Sequence, residues 1–510
     1  MSSTRETMQY PLTAWKFLFF PTVKSSDLFS VFMKVTLAIF VFLSAYLFFY
    51  HSFTTHIKVH SCPQCDRFIT EQKFIDVVDT NNNNTSVNYE KTNLSHILFG
   101  IGGSTQSWDT RRIYSDLWWI PNITRGYVWL DEKPKTWPEM SPPYKISEDT
   151  SSFKYSCSYG SRSAVRIARI VKESFELGLD NVRWFVLGDD DTVFFVENLI
   201  TVLGKYDHNQ MYYIGANSES IEQDLIHSYT MAYGGSGIAI SYPLAAELVR
   251  VLDGCIDRYD SFYGSDQKIQ GCMAEIGVPL TKELGFHQVD IRGNPYGLLA
   301  AHPLTPLVSL HHLDYVDTIF PKMTQTEALK KLISAYEMDP NRALQHSFCY
   351  DLIRSWSVSV SWGYTVQLYP FLVPAKKLET AYLTFRTWRS WSDDPFHFNT
   401  QAMSPDPCER PLIYFFDRIE RVERNKTLTT YTRFIDENEN EKACARLDYA
   451  QALTVESFSI SAATLTTDVW KMAPRRQCCE VVNGGKGTER ERVVEVNIRS
   501  CNSLESVTPP

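Results

Sequence analysis

The stretch WFVLGDDDTVFF, residues 184–195, constrains this chain more than any other. Three consecutive carboxylates, Asp189, Asp190 and Asp191, stand between two apolar runs. Burying such groups is costly unless positive charge compensates. VRWFVLG (Val182–Gly188) reads as an apolar strand of the kind buried on both faces. A strand ending at Gly188 delivers the triplet to the carboxyl edge of a sheet, where α/β folds place their ligands. If strand geometry persists, Asp189 and Asp191 point to one side and Asp190 to the other. Hard oxygen ligands at that spacing suit Mg2+ or Mn2+, and an added imidazole favours Mn2+. Such an ion can clamp a diphosphate and stabilise the charge that develops as it leaves. The competing reading is an acidic surface loop with an N-capping Asp, and the apolar flanks on both sides argue against it.

The surrounding sequence fits an α/β layer structure with a mostly parallel sheet. HILFGIGG (His96–Gly103) and RGYVWLDE (Arg125–Glu132) read as strands. SRSAVRIARIVKESFELG (Ser161–Gly178) has apolar residues at helical spacing and a glycine stop. FFVENLITVL (Phe194–Leu203) reads as a helix, MYYIGA and GGSGIAIS as strands, and YPLAAELVRVLDGC as a further helix. After residue 325 one helical stretch, TEALKKLISAYEMD, precedes β-rich sequence such as WSVSVSWGYTVQLYP. Residues 326–510 are therefore expected to form a mainly β C-terminal domain.

VFMKVTLAIFVFLSAYLFFY (Val31–Tyr50) carries one charge, Lys34. Twenty helical residues reach about 30 Å, the thickness of a hydrocarbon core. Arg5, Lys16 and Lys24 precede it, and the next basic residue is Lys58. The positive-inside rule then gives a cytosolic tail (1–30), a signal anchor (31–50) and a lumenal remainder, with a polar stem over 51–90. A cleaved signal peptide is the weaker rival, because the run is long, distant from the start and ends in aromatics. Lumenal placement agrees with sequons at Asn83, Asn84, Asn93, Asn122 and Asn425, and with eleven cysteines. CPQC (Cys62–Cys65) reads as a stem disulfide or inter-chain bridge, and adjacent Cys478 and Cys479 are expected to pair with different partners. The net charge of −9 argues against nucleic-acid binding. NGGKGTER (Asn483–Arg490) has the wrong order for a phosphate loop and reads as a surface turn.

Several blocks together resemble a known family. FVLGDDDTVF resembles the Asp-x-Asp region of Fringe and related beta-1,3-glycosyltransferases. AYGGSGIAIS (Ala232–Ser241) resembles their Gly-Gly-x-Gly block, and SDQKIQGCMAEIGVPL (Ser265–Leu280) the segment carrying their catalytic Asp. GFHQVDIRG and PLVSLHHLDYV resemble the closing region, which ends in a metal-binding His. The blocks run in family order over residues 96–320, and PYGLLAAHP and SVSWGY are similar to a plant subgroup whose donors and acceptors are poorly defined. The resemblance implies a GT-A-type, Rossmann-like nucleotide-sugar domain over 91–325, a UDP-sugar donor, Mn2+ and inversion at the anomeric carbon. It implies nothing for the C-terminal domain, and Ser236 and Ile238 depart from the residues usual in Fringe itself.

Residue by residue, the resemblance assigns Asp189 and Asp191 to the metal and Asp190 to the donor ribose or sugar. It assigns Asp266 as the base that takes the acceptor hydroxyl's proton, although Asp before an amphipathic run is also a common helix N-cap. His311 or His312 would complete the metal set; adjacent histidines cannot easily face one ion, so His311 is preferred, with His287 as the alternative. Gly234 and Gly235 would let backbone approach the donor, with a tight turn as the compatible structural reading. Arg162, Arg111 and Asp131 are candidate donor contacts, whereas Trp118 and Trp119 are expected to fill a core. The leading expectation is an inverting, Mn2+-dependent hexosyltransferase of the Golgi membrane acting on a glycan or glycoprotein. The alternatives are a lumenal carbohydrate-binding or scaffold protein without catalysis, and a Ca2+-dependent adhesion module, which should show repeated acidic loops where this chain has one.

Overall fold

The apolar run before the triplet is a strand, Trp184–Asp189, paired in parallel with Ile97–Gly102. The structure, a computed structural model, describes residues 91–435, 444, 446–482 and 492–509 and scattered positions between 34 and 46. In chain order the strands of the first region are β1 (Ile97–Gly102), β2 (Gly126–Leu130), β3 (Tyr144–Ile146), β4 (Trp184–Asp189), β5 (Val193–Phe194), β6 (Tyr213–Gly215), β7 (Ile238–Ser241), β8 (Leu280–Lys282), β9 (Phe286–His287), β10 (Ile291–Gly293) and β11 (Ser309–Leu310). Seven of them form one sheet in the order β3-β2-β1-β4-β7-β6-β8. The sheet is mixed: β7 runs antiparallel to both its neighbours, β4 and β6, and the other pairings are parallel.

Alternation along each strand feeds two layers. On β1, Ile97, Phe99 and Ile101 join one core and Leu98 the other. On β4, Trp184 and Val186 share the first core, and Phe185 and Leu187 the second. The second core is covered by the helices Ser163–Phe175, Tyr242–Arg258 and Ser265–Ile276, the last two joined by the Cys255–Cys272 disulfide. The helix expected from Phe194 starts at Val196, because Val193 and Phe194 pair with β11.

The C-terminal region is β-rich as its sequence suggests. It contributes β12 (His346–Asp351), β13 (Trp356–Ser361), β14 (Thr365–Tyr369), β15 (Ala381–Tyr382), β16 (Phe385–Thr387), β17 (Thr400–Gln401), β18 (Leu412–Glu423), β19 (Lys426–Arg433), β20 (Ser457–Ala463), β21 (Cys478–Val482) and β22 (Val493–Arg499). Eight of these close a barrel in the order β12-β13-β14-β18-β19-β20-β22-β21, which leaves the sheet without a free edge. Cys479 pairs with Cys349 and Cys478 with Cys501, as alternate sides of one strand require. Cys408 pairs with Cys444, and Cys157 is free and buried. Residues 89–510 form one compact unit, and the first core continues from Phe99 and Trp184 into the barrel residues Tyr364 and Tyr414. The change of character near residue 326 is thus a change of architecture within a shared core.

Arg342 and Asp339 lock that junction. They are 2% and 0% exposed and paired at 2.9 Å; Arg342 also donates to Gln477 and to the Ala463 carbonyl, and Asp339 accepts from the Leu465 amide. Removing one partner strands the other charge, so Arg342→Ala should lower stability by about 3–5 kcal/mol. An unchanged urea midpoint would refute this.

The tail 1–30, the stem 51–90 with Cys62 and Cys65 and the sequons Asn83 and Asn84, most of the 31–50 run, and residues 483–490 lie outside the described residues. Described positions between Lys34 and Tyr46 are helical. Among the described residues, no helix is long and apolar enough to cross a membrane.

Candidate active site

The last rung between β1 and β4 pairs Gly102 with Asp189, so the triplet leaves the sheet edge beside the loop that follows β1. A tight turn holds it there. The Thr192 amide donates to the Asp189 carbonyl (3.1 Å), and the Thr192 hydroxyl accepts from the Asp189 amide (2.9 Å) and donates to the Gly235 carbonyl (2.7 Å). Trp118 Nε1 donates to the Thr192 carbonyl, and its ring packs on Phe99 and Phe194; Trp118 and Trp119 are core residues.

The two sides of the triplet have different partners. Asp190 turns to the loop after β1, where it accepts from Ser107 Oγ (2.5 Å) and Arg111 Nη1 (3.0 Å). These two groups orient its carboxylate at the loop after β1. Burial still raises the Asp190 pKa, although the Ser107 hydrogen bond and Arg111 oppose it. Arg111, on the helix Trp108–Ser115, also reaches Asp191 (3.2 Å) and Asp314 (3.7 Å). Burial alone would lower the guanidinium pKa, but Asp191 and Asp190 outweigh it and raise it. Arg111 therefore offsets part of the triplet's charge, at Asp190 and Asp191.

On the other side stand Asp189, Asp191 and His311, each with a ligand atom within 4.8 Å of the others'. Strand register puts His311 there. β11 pairs antiparallel with β5, Leu310 opposite Val193, and parallel with β9, so the next residue falls against the triplet. His311 Nε2 lies 3.0 Å from Asp191 Oδ1 and 3.7 Å from Asp189 Oδ2. Burial would lower the imidazole pKa, but these carboxylates raise it to about 9. Asp191 is 1% exposed, and burial would raise it, but His311 and Arg111 hold it well below the usual range. Burial raises Asp189, whose side chain is nonetheless 35% exposed, so the cluster is reached from its side.

This donor set fits a divalent cation. Both Asp191 oxygens are buried and, although charged groups approach them, neither makes a hydrogen bond of acceptable geometry. Three carboxylates stand against one permanent cation, Arg111, and the proton they hold on His311 is what a divalent ion would displace. Two carboxylates and one imidazole suit Mn2+, with Mg2+ a poorer match for nitrogen.

His312 is not part of this set. Its backbone is left-handed (φ 52°), and its ring packs on that of His311 (3.9 Å) while its Nδ1 turns to another carboxylate. Its Nδ1 lies 2.9 Å from Asp290 Oδ1, its ring stacks on Trp388 (4.3 Å), and burial holds its pKa well below the ordinary value. His287 lies elsewhere too, against Glu219 and His302.

The turn Tyr233–Gly237 links this cluster to the candidate base. The Gly234 amide donates to Asp266 Oδ2 (3.1 Å), while Gly235 supports the His311 ring so closely that a Cβ would fall 2.1 Å from Cε1. These glycines thus position protein groups, as the turn reading expects. The helix N-cap at Ser265–Ile276 is Gly264, so Asp266 sits inside the first turn and is not the cap. Asp266 faces a cleft of about 650 Å3 also lined by Tyr233, Gln288 and Asp290.

Two further candidates, Arg162 and Asp131, have structural partners. Arg162 Nη2 donates to the carbonyls of Thr150, Ser151 and Phe153 and so braces a loop. Asp131 accepts from the Thr105 amide (2.9 Å) and shapes the loop after β1. That loop is also held by buried Arg166, which donates to the Gly103 and Trp129 carbonyls. Sequence reasoning missed Ser107, Gln288 and Trp388, which long-range pairing brings here, and Thr192, whose role is a local turn beside the triplet.

The Fringe-like family matches residues 92–293, and the family described as "Protein of unknown function, DUF604" matches residues 223–479. No curated protein gives a match. The matches overlap over residues 223–293, which contain the turn at Gly234 and Asp266, and the first implies a glycosyltransferase-like function. With DUF604 covering 257 of 510 residues (223–479) and the Fringe-like match spanning the aspartate triplet, the chain belongs to the DUF604 family, and the two matches together make it Fringe-related.

Proposed function

We propose that the protein is an inverting, Mn2+-dependent hexosyltransferase that moves a sugar from a UDP-sugar to a glycan or glycoprotein, forming a beta-1,3 linkage. The observation that carries this reading is the single turn that holds both Asp266 and His311, and so fixes a candidate base relative to a candidate metal set. Asp189, Asp191 and His311 would hold the ion. When bound, the ion supplies positive charge against the departing diphosphate. Arg111 keeps Asp190 and Asp191 ionised and oriented. Asp266 takes the proton of the acceptor hydroxyl while that oxygen bonds to the anomeric carbon. The bond from that carbon to the phosphate oxygen breaks on the opposite face, and UDP leaves with the electron pair. One displacement needs one base, and the family match covers Asp266 twice.

A Golgi address on a type II anchor at 31–50 is part of the proposal and rests on the apolar run and the basic residues before it. The four disulfides agree with an oxidising lumen. The test is UDP release by the full chain with a panel of UDP-sugars and glycan acceptors, followed by NMR of the product anomer. Mn2+-dependent release with inverted configuration is expected. A retained configuration, or no release with any donor, would overturn the proposal.

A further inference from the structure

The turn after β16 enters the candidate active site from the C-terminal region. β16 pairs antiparallel with β10, Arg386 opposite Arg292, and this register carries Trp388 beside Arg292 and His312. The Arg292 guanidinium lies 3.7 Å from the Trp388 ring centre, and the His312 ring stacks on the same indole at 4.3 Å. Trp388 is thus a support. Trp391 lies farther from the same guanidinium, which is 5.7 Å from its ring centre; it is 57% exposed and holds a left-handed backbone (φ 57°), which is strained for a bulky residue.

The turn is fixed independently of any ligand. The Thr387 amide donates to the Ser392 carbonyl (2.8 Å), and the Ser392 amide to Thr387 Oγ1 (3.0 Å). The Arg389 and Ser390 amides both donate to the Glu222 carboxylate. A large apolar ring, more than half exposed, is therefore held out in a strained, braced turn.

Trp388, Arg389 and Trp391 line the same cleft as Asp266. Tyr263, 43% exposed and stacked with Tyr159, lines it too, as do Gln267 and Gln288. Exposed aromatic faces interleaved with amide and guanidinium groups match one chemistry well. A pyranose ring offers an apolar C–H face for an indole and a rim of hydroxyls for polar side chains. A nucleoside diphosphate would need clustered positive charge, and Asp266 and Asp290 make this cleft mixed in sign. We propose that Trp391 is the stacking platform for a sugar ring of the acceptor, so that the acceptor is a carbohydrate and its specificity is set in part by the C-terminal region. This rests on the glycosyltransferase reading above, and it adds the substrate class and a specificity-determining residue outside the Fringe-like match.

The test compares the full-length wild type with Trp391→Ala and Trp391→Phe. Acceptor probes are methyl β-galactoside, methyl β-glucoside and methyl α-fucoside, with quercetin as a phenolic probe. UDP affinity in Mn2+ and thermal midpoint report the donor side and the fold. With the best glycoside, Trp391→Ala should raise the acceptor KM about tenfold or more, and Trp391→Phe should recover most of the loss. UDP affinity should stay within about twofold of wild type, as expected for a stacking residue outside the metal set. An acceptor KM within about twofold of wild type in Trp391→Ala, or quercetin as the better acceptor, would overturn the inference and leave the proposed reaction standing. Failure of the wild type to release UDP with any donor would overturn both.

Discussion

Asp266→Asn should lower turnover by about 10²–10⁴-fold while the affinity for UDP in Mn2+ stays near wild type. The replacement keeps an oxygen that can accept the Gly234 amide, so the turn and the His311 seat should survive. What it removes is the capacity to take a proton at a group facing the cleft. Steady-state transfer measured beside UDP titration separates the two effects. Full turnover in the variant would take Asp266 out of the base role while leaving the metal set intact.

Gly235→Ala should damage the site by a different route, through the metal set. The new Cβ would lie 2.1 Å from His311 Cε1 and 2.4 Å from Nδ1, and the ring is 3% exposed, with His312 packed at 3.9 Å between ring centres. The imidazole cannot stay where Asp189 and Asp191 meet it. A change that disturbs a metal ligand through its support commonly costs about 10–100-fold in metal affinity, and the Mn2+ dependence of UDP binding should weaken to that extent. At Gly234 the nearest atom to a new Cβ is 3.9 Å away, so Gly234→Ala should cost far less. Equal losses at both positions would show that the turn, and not the His311 seat, is what matters.

Much of this geometry was legible because it is local. The alternation of a strand that ends at its glycine already separates Asp189 and Asp191 from Asp190, and the structure sets His311 against the first two and Ser107 against the third, with Arg111 bridging Asp190 and Asp191. The preference for His311 over His312 followed from the impossibility of aiming adjacent rings at one point, and the left-handed turn at His312 is how the chain resolves it. What local pattern could not supply was pairing across long separations. The partner of Asp190 is Arg111, on a helix 79 residues earlier. The antiparallel course of β7 reads the same as a parallel strand in a buried apolar run. Arg162 opens a helix, as the nucleotide-contact assignment required, yet three carbonyls within its own loop satisfy it. The tryptophans of the turn after β16 had no neighbouring motif, and only the β10–β16 register shows where they go.

The triplet that opened the question is held by Arg111 on one side and His311 on the other, with charge left over for a divalent ion. That claim can be tested without knowing the sugar or the acceptor. Titration calorimetry of UDP into the full chain, with Mn2+ and then with EDTA, measures it directly. The account predicts UDP binding that requires Mn2+ and is lost in Asp191→Asn. UDP binding equally tight in EDTA, or no binding in Mn2+, would contradict it.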